Sequence, residues 1–213
     1  PAQVDRLVAP MVSHPVPARL AAVLLALALF EASLPGSAIA EAGRWVVDSG
    51  KSRVGFDAFH PFGNFSGASE TPSGEVELDI EDLKKPIKGT LTAPVASLRT
   101  GKAGRDKDLR RALDGERQPE IRFRIDKVES SFQSLTENTD VLLTLHGVLS
   151  MRGIERPASF MGRVRLRQGG TLWVRGESRL RPGDFGIPLL QAWLVSMKEH
   201  VLATFDLTLN KEK

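Results

Sequence analysis

Past residue 40 the chain keeps three histidines, His60, His146 and His200, the side chains best suited to proton transfer or metal ligation near neutral pH. They lie far apart and none sits at the short spacing of a ligand pair. Metal sites usually draw on more ligand residues than these, so no metal site is expected. His146 is out of phase with Leu145 and Gly147 and should face solvent on a strand. His60 precedes Pro61 at the end of a strand, a place for the mouth of a barrel. Carboxylates are numerous, but most fall on the outward phase of alternating segments, where they solubilise a sheet. No G-x-S-x-G, H-E-x-x-H, G-x-x-x-x-G-K-[ST] or G-x-G-x-x-G motif occurs. No catalytic residue is assigned, and the chain reads as a non-enzyme. Asn64-Phe65-Ser66 matches a glycosylation sequon, a pattern too short to carry weight.

Composition narrows the chemistry further. Cysteine is absent, which excludes disulfides, thiolate metal sites and cysteine nucleophiles. The formal net charge is only +3, with Lys and Arg interleaved with Asp and Glu. Nucleic-acid binders concentrate their basic residues in a patch or stripe, so no nucleic-acid partner is expected. The 41% hydrophobic content suffices for a core.

The elements that would position a site alternate with a period of two. Val54, Phe56 and Ala58 alternate with Arg53, Gly55 and Asp57. The same pattern runs through Val76–Ile80, Ile121–Ile125, Val141–Met151, Phe160–Leu166 and Val201–Leu209. Strict alternation marks strands with one buried face. Ser73-Gly74, Lys85-Pro86, Arg152-Gly153, Gly169-Gly170 and Pro182-Gly183 punctuate them as turns. Roughly eight strands suit an antiparallel barrel or sandwich. One segment departs: Leu109, Ala112 and Leu113 fall at helical spacing over Arg105–Leu113, with Gly115 placed to end the turn. Its opposite face, Asp106, Lys107, Arg110 and Arg111, should meet water. Arg105 and Asp106 read as a pair that orients the helix. The residues by themselves give an all-β antiparallel barrel or sandwich of eight or nine strands with one short inserted helix.

Two apolar stretches need separate treatment. Leu20–Phe30, preceded by Arg19 and followed by Ala38-Ile39-Ala40, has the layout of a secretory signal peptide cleaved after Ala40. The run stops at Glu31, short of the roughly 20 apolar residues a span needs. Residues 1–40 are therefore set apart as an upstream extension plus signal peptide, and 41–213 as one domain. A periplasmic or secreted protein without a stable membrane span follows. The second stretch, Phe185–Val195, does not alternate and demands burial. It either plugs one barrel end or forms the lip of a ligand portal.

Five ordered groups carry a family resemblance. They are Trp45-Val46-Val47-Asp48 with Ser52–Phe56, His60 and Gly67; Ser97–Gly101 leading into Arg105–Arg110; Gln118–Phe123; Gly147–Pro157; and Asp184–Ile187. Together they resemble the YceI-like family of bacterial polyisoprenoid-binding periplasmic proteins. Lys51 stands where the family often has His, and the segment between Leu113 and Pro119 is shorter than is common. The resemblance implies an all-β, antiparallel lipocalin-like β-barrel of about eight strands with one short inserted helix and a long apolar tunnel. That tunnel would hold an isoprenoid chain, as in a quinone tail, or a fatty amphiphile; no other cofactor is implied.

The candidate ligand-binding residues are Val54, Phe56, Ala58, His60, Leu91, Phe123, Leu143, Leu145, Phe160, Phe185, Ile187, Leu190, Trp193 and Phe205. His60 and Arg105 are candidates to select a head group. The partner is an apolar small molecule, and the sequence leaves a homodimer open. The rival reading is a non-binding barrel scaffold that engages another envelope protein.

Overall fold

The computed structural model describes residues 42–59, 64–187 and 200–212. Ala40–Lys213 form one compact unit. Its strands are β1 (Gly43–Val47), β2 (Arg53–Ala58), β3 (Phe65–Ser69), β4 (Ser73–Leu78) and β5 (Lys88–Pro94). After the helix α1 (Ala103–Ala112) come β6 (Glu120–Ser130), β7 (Asp140–Met151), β8 (Ile154–Arg167), β9 (Thr171–Leu180) and β10 (Val201–Lys211). Every strand pairing is antiparallel.

Eight strands close a ring in the order β1-β4-β5-β6-β7-β8-β9-β10, with β10 returning to β1. Closure leaves this ring without an unpaired edge. The two remaining strands, β2 and β3, continue it. β1 pairs with the end of β10 through Trp45–Val47, a 3-10 turn over Ser49–Lys51 follows, and β2 then pairs with the first half of β10. β3 pairs with β2 as β4 pairs with β1, so each couple acts as one interrupted stave. Of the barrel and the sandwich that the alternation left open, the chain forms the barrel, of about eight strands with one short helix, that the family resemblance implied.

Turn chemistry fixes the register of the hairpins. Arg152 and Gly153 link β7 to β8 with φ of 55° and 73°, the positive pair that a two-residue hairpin requires. Gly169 and Gly170 likewise have positive φ between β8 and β9. A bulge in β6 lies between Ile125 and Lys127. The extra residue shifts the side-chain phase, so Val128 rather than Lys127 continues the buried row of Phe123 and Ile125.

The helix differs from expectation in three respects. It spans Ala103–Ala112, two residues earlier than its apolar spacing suggested. Asp114 (φ 54°), not Gly115, takes the left-handed position that ends it. Gly115 is instead a close-approach site, where a Cβ would lie 2.7 Å from Val95 Cγ1. Third, Asp106 is buried while Lys107 and Arg111 are exposed. Its carboxylate does not pair with Arg105. It accepts from the Thr100 backbone N–H at 2.7 Å and the Thr100 hydroxyl at 2.5 Å. The Thr100 hydroxyl above all, together with that N–H, holds Asp106 below the usual carboxylate range against the opposing effect of burial. The buried face of the helix, Leu109 and Leu113, packs with Val95 and Leu98 against Phe56, Ile121, Met151 and Ile187.

The opposite end of the barrel is laced by two loops. Leu83 N–H donates to Gln133 O at 2.7 Å, and Leu135 N–H donates to Ile80 O at 2.7 Å. Leu83, Ile87 and Leu135 are buried in the main core. Asp79, with 3% of its side chain exposed, accepts from Lys85 Nζ at 2.6 Å and from Glu81 N at 2.9 Å and ties the first loop down.

Candidate functional site

The inward rows of the staves do not fill the space they enclose. Two chambers remain. The one on the helix side has a volume of about 150 Å³, and the one toward the laced end about 70 Å³. An engineered apolar cavity of roughly 150 Å³ stays dry and takes benzene, which sets the scale of the larger space.

The larger chamber is built by β2 (Val54, Phe56), β3 (Phe65), the helix (Leu109, Leu113) and the strand ends around Met151, Leu180 and Val201. Small residues make room for its rings. A Cβ on Gly67 would stand 2.5 Å from Phe56 Cε1, and a Cβ on Gly176 2.5 Å from Phe205 Cζ. The smaller chamber is lined by Leu143 and Leu145 of β7, Val128 of β6, Leu207 and Leu209 of β10, and the loop residues Leu83, Ile87 and Leu135. Thr204 and Thr90 supply the only polar side chains at either chamber among the described residues.

Leu91, Phe123 and Phe205 border both chambers. The Phe123 and Phe160 ring centroids lie 4.9 Å apart, and those of Phe160 and Phe205 5.5 Å apart. These rings form a waist between the two spaces. The long apolar tunnel implied by the resemblance is narrowed at the level of these rings. The reason is steric: three phenylalanines on separate strands point to the same level of the barrel.

Of the residues singled out in the sequence, Val54, Phe56, Phe160 and Ile187 line the larger chamber, and Leu143 and Leu145 the smaller. Ala58 is fully buried between its register partners Phe65 and Val201 and lines neither. Phe185 is 2% exposed and belongs to the packed core, where it follows Pro182 in a 3-10 turn ended by Gly186. His60, Leu190 and Trp193 lie outside the described residues, as do residues 1–40. Sequence reading missed Leu98, Leu109 and Leu113 as lining, although the helical spacing of the last two was visible. It also missed Leu83 and Leu135, which sit in loops without periodicity.

Arg105 touches the chamber wall from behind. Its guanidinium lies 4.5 Å from the Phe65 ring centroid and donates to Thr100 O at 2.9 Å. On the outer wall His146 Nδ1 meets Ser159 Oγ at 2.8 Å, and its Nε2 lies 3.2 Å from Glu129 Oε2. This row resembles a nucleophile–base relay in composition. It stands on the outer phase of the sheet, apart from both chambers, and Ser159 is exposed. The carboxylates with shifted ionisation move downward: Asp79 through the Lys85 ammonium, Glu129 through Lys127, and Asp140 through Arg165. A general acid needs the opposite shift.

A family model described as the YceI-like domain matches residues 45–209. The chain belongs to the YceI-like family. Solved structures agree on the fold. The YceI-like chain superposes on Burkholderia cenocepacia BcnA with a TM-score of 0.60 at 19% identity, covering 76% of this chain and 98% of that one. A polyisoprenoid binding domain from Saccharophagus degradans, implicated in plant cell wall breakdown, gives 0.65 at 13% identity, covering 80% and 99%. The Campylobacter jejuni YCEI protein gives 0.56 at 15% identity, covering 69% and 84%. No curated relative matches the chain.

Proposed function

We propose that this YceI-like protein is an exported carrier that holds a long apolar chain, an isoprenoid or a fatty amphiphile, inside its barrel. The observation that carries the reading is an interior left unfilled and lined almost wholly by apolar side chains. Burying a methylene yields roughly 0.8 kcal/mol, so a benzene-sized segment of about six carbons in the larger chamber gives about 5 kcal/mol gross. Association costs on the order of 4 kcal/mol or more. Tail burial alone therefore sustains weak binding without a polar anchor. The likeness to the polyisoprenoid binding domain from Saccharophagus degradans supports the same ligand class. Export rests on the signal-peptide layout before Ala40. The rival reading, a solid scaffold, is weakened by the two voids.

The test is organic extraction of the purified protein followed by mass spectrometry, with uptake assays for a quinone and a long-chain amide. Recovery or uptake of a long-chain apolar compound is expected. Neither recovery nor uptake would overturn the carrier reading. N-terminal sequencing of protein exported by its native host checks cleavage after Ala40.

A further inference from the structure

We infer that the aromatic waist of Phe123, Phe160 and Phe205 is a length-selecting stop, so that a guest seats above it and the smaller chamber stays empty. The inference rests on the carrier reading and specifies what that carrier discriminates.

Three observations converge. The rings close the barrel at one level, with centroid separations of 4.9 and 5.5 Å, and Phe123 and Phe205 face both chambers. Two of the rings are also hemmed by their neighbours. Phe205 lies against Gly176, where a Cβ would stand 2.5 Å from its Cζ, and Phe123 stands in register between Leu91 and Leu149. Finally, the far end is crossed by the Leu83–Gln133 and Leu135–Ile80 hydrogen bonds, so a chain entering from the helix side meets the waist before the smaller chamber. Packed interiors switch between discrete arrangements and do not deform continuously. A growing chain therefore gains affinity per methylene until its tip meets the rings. Further methylenes remain outside the larger chamber and gain little.

The test is an affinity series with prenol, geraniol, farnesol and geranylgeraniol on the full chain, read by displacement of 1-anilinonaphthalene-8-sulfonate. Wild type is expected to stop gaining affinity at a shorter probe than Phe123→Ala. For the longest probe the variant is expected to bind at least about tenfold tighter than wild type, as two newly buried methylenes would provide. Phe205→Leu, a milder truncation, repeats the comparison should Phe123→Ala fail to fold. Leu143→Phe fills the smaller chamber from below. It should restore the early plateau in the Phe123→Ala background.

A common plateau in wild type and truncated waist overturns the stop and leaves the carrier standing. So does a loss of about tenfold for the longest probe in Leu143→Phe alone, since two methylenes would then lie below the rings. Failure of every probe to bind either protein removes the carrier reading and the stop together.

Discussion

Gly176 and Phe205 show how one position governs both packing and the guest. A methyl group at 176 would stand 2.5 Å from the ring of Phe205, so Gly176→Ala pushes that ring into the barrel. Overpacking of this kind costs about 1–3 kcal/mol. Urea denaturation should show that loss, and ligand affinity should fall with it because the larger chamber narrows. At the helix, Asp106→Ala strands the Thr100 N–H and hydroxyl that now donate to the carboxylate. A loss of about 1–3 kcal/mol is expected by the same method. Inward residues such as Val54, Phe56, Phe123 and Phe205 were legible because a strand's period of two exposes its phase. The burial of Asp106 was not legible, because it depends on where the Thr100 backbone turns and not on the residue's own type. Ala58 shares the inward phase yet lines no chamber, since phase fixes the direction of a side chain and not the space in front of it.

The closing loops and the helix supply the elements that make a cavity out of a sheet. Asp79, Asp106 and Asp140 are held below their ordinary pKa by Lys85, Thr100 and Arg165 respectively. A carboxylate depressed in the folded state contributes stability above its unfolded pKa, near 3.9, and loses it as pH falls through the folded value. The denaturation midpoint should therefore stay level from about pH 7 to 5 and drop below about pH 4. Asp79→Asn removes one titrating group and should lessen that acid slope; an unchanged slope would contradict the assignment. Leu109→Ala opens the helix side of the chamber and should cost about 2–4 kcal/mol, read as a lower urea midpoint. The strands were readable because alternation repeats over many residues. The lacing of the loops at Leu83 and Leu135 was not, since backbone hydrogen bonds between loops leave no periodic trace. The bulge in β6 also hid Val128, which an unbroken alternation would have placed outside.

At the scale of the whole molecule, a ring of eight strands encloses slightly more volume than its inward side chains occupy. An eight-stranded barrel is just wide enough either to fill with side chains or to hold one small ligand. Sequence cannot choose between those outcomes, because the residual volume is a small difference between large packed volumes. Here the difference is two chambers of about 150 and 70 Å³ parted by phenylalanines. The account rests on an apolar chain completing the packing of that interior. A crystal structure grown with geranylgeraniol tests this most directly. The account predicts continuous density for the chain among Phe56, Leu109 and Met151, ending at the rings of Phe123 and Phe205. Chain density confined to the outer wall, with the chambers empty or holding ordered water, would contradict it.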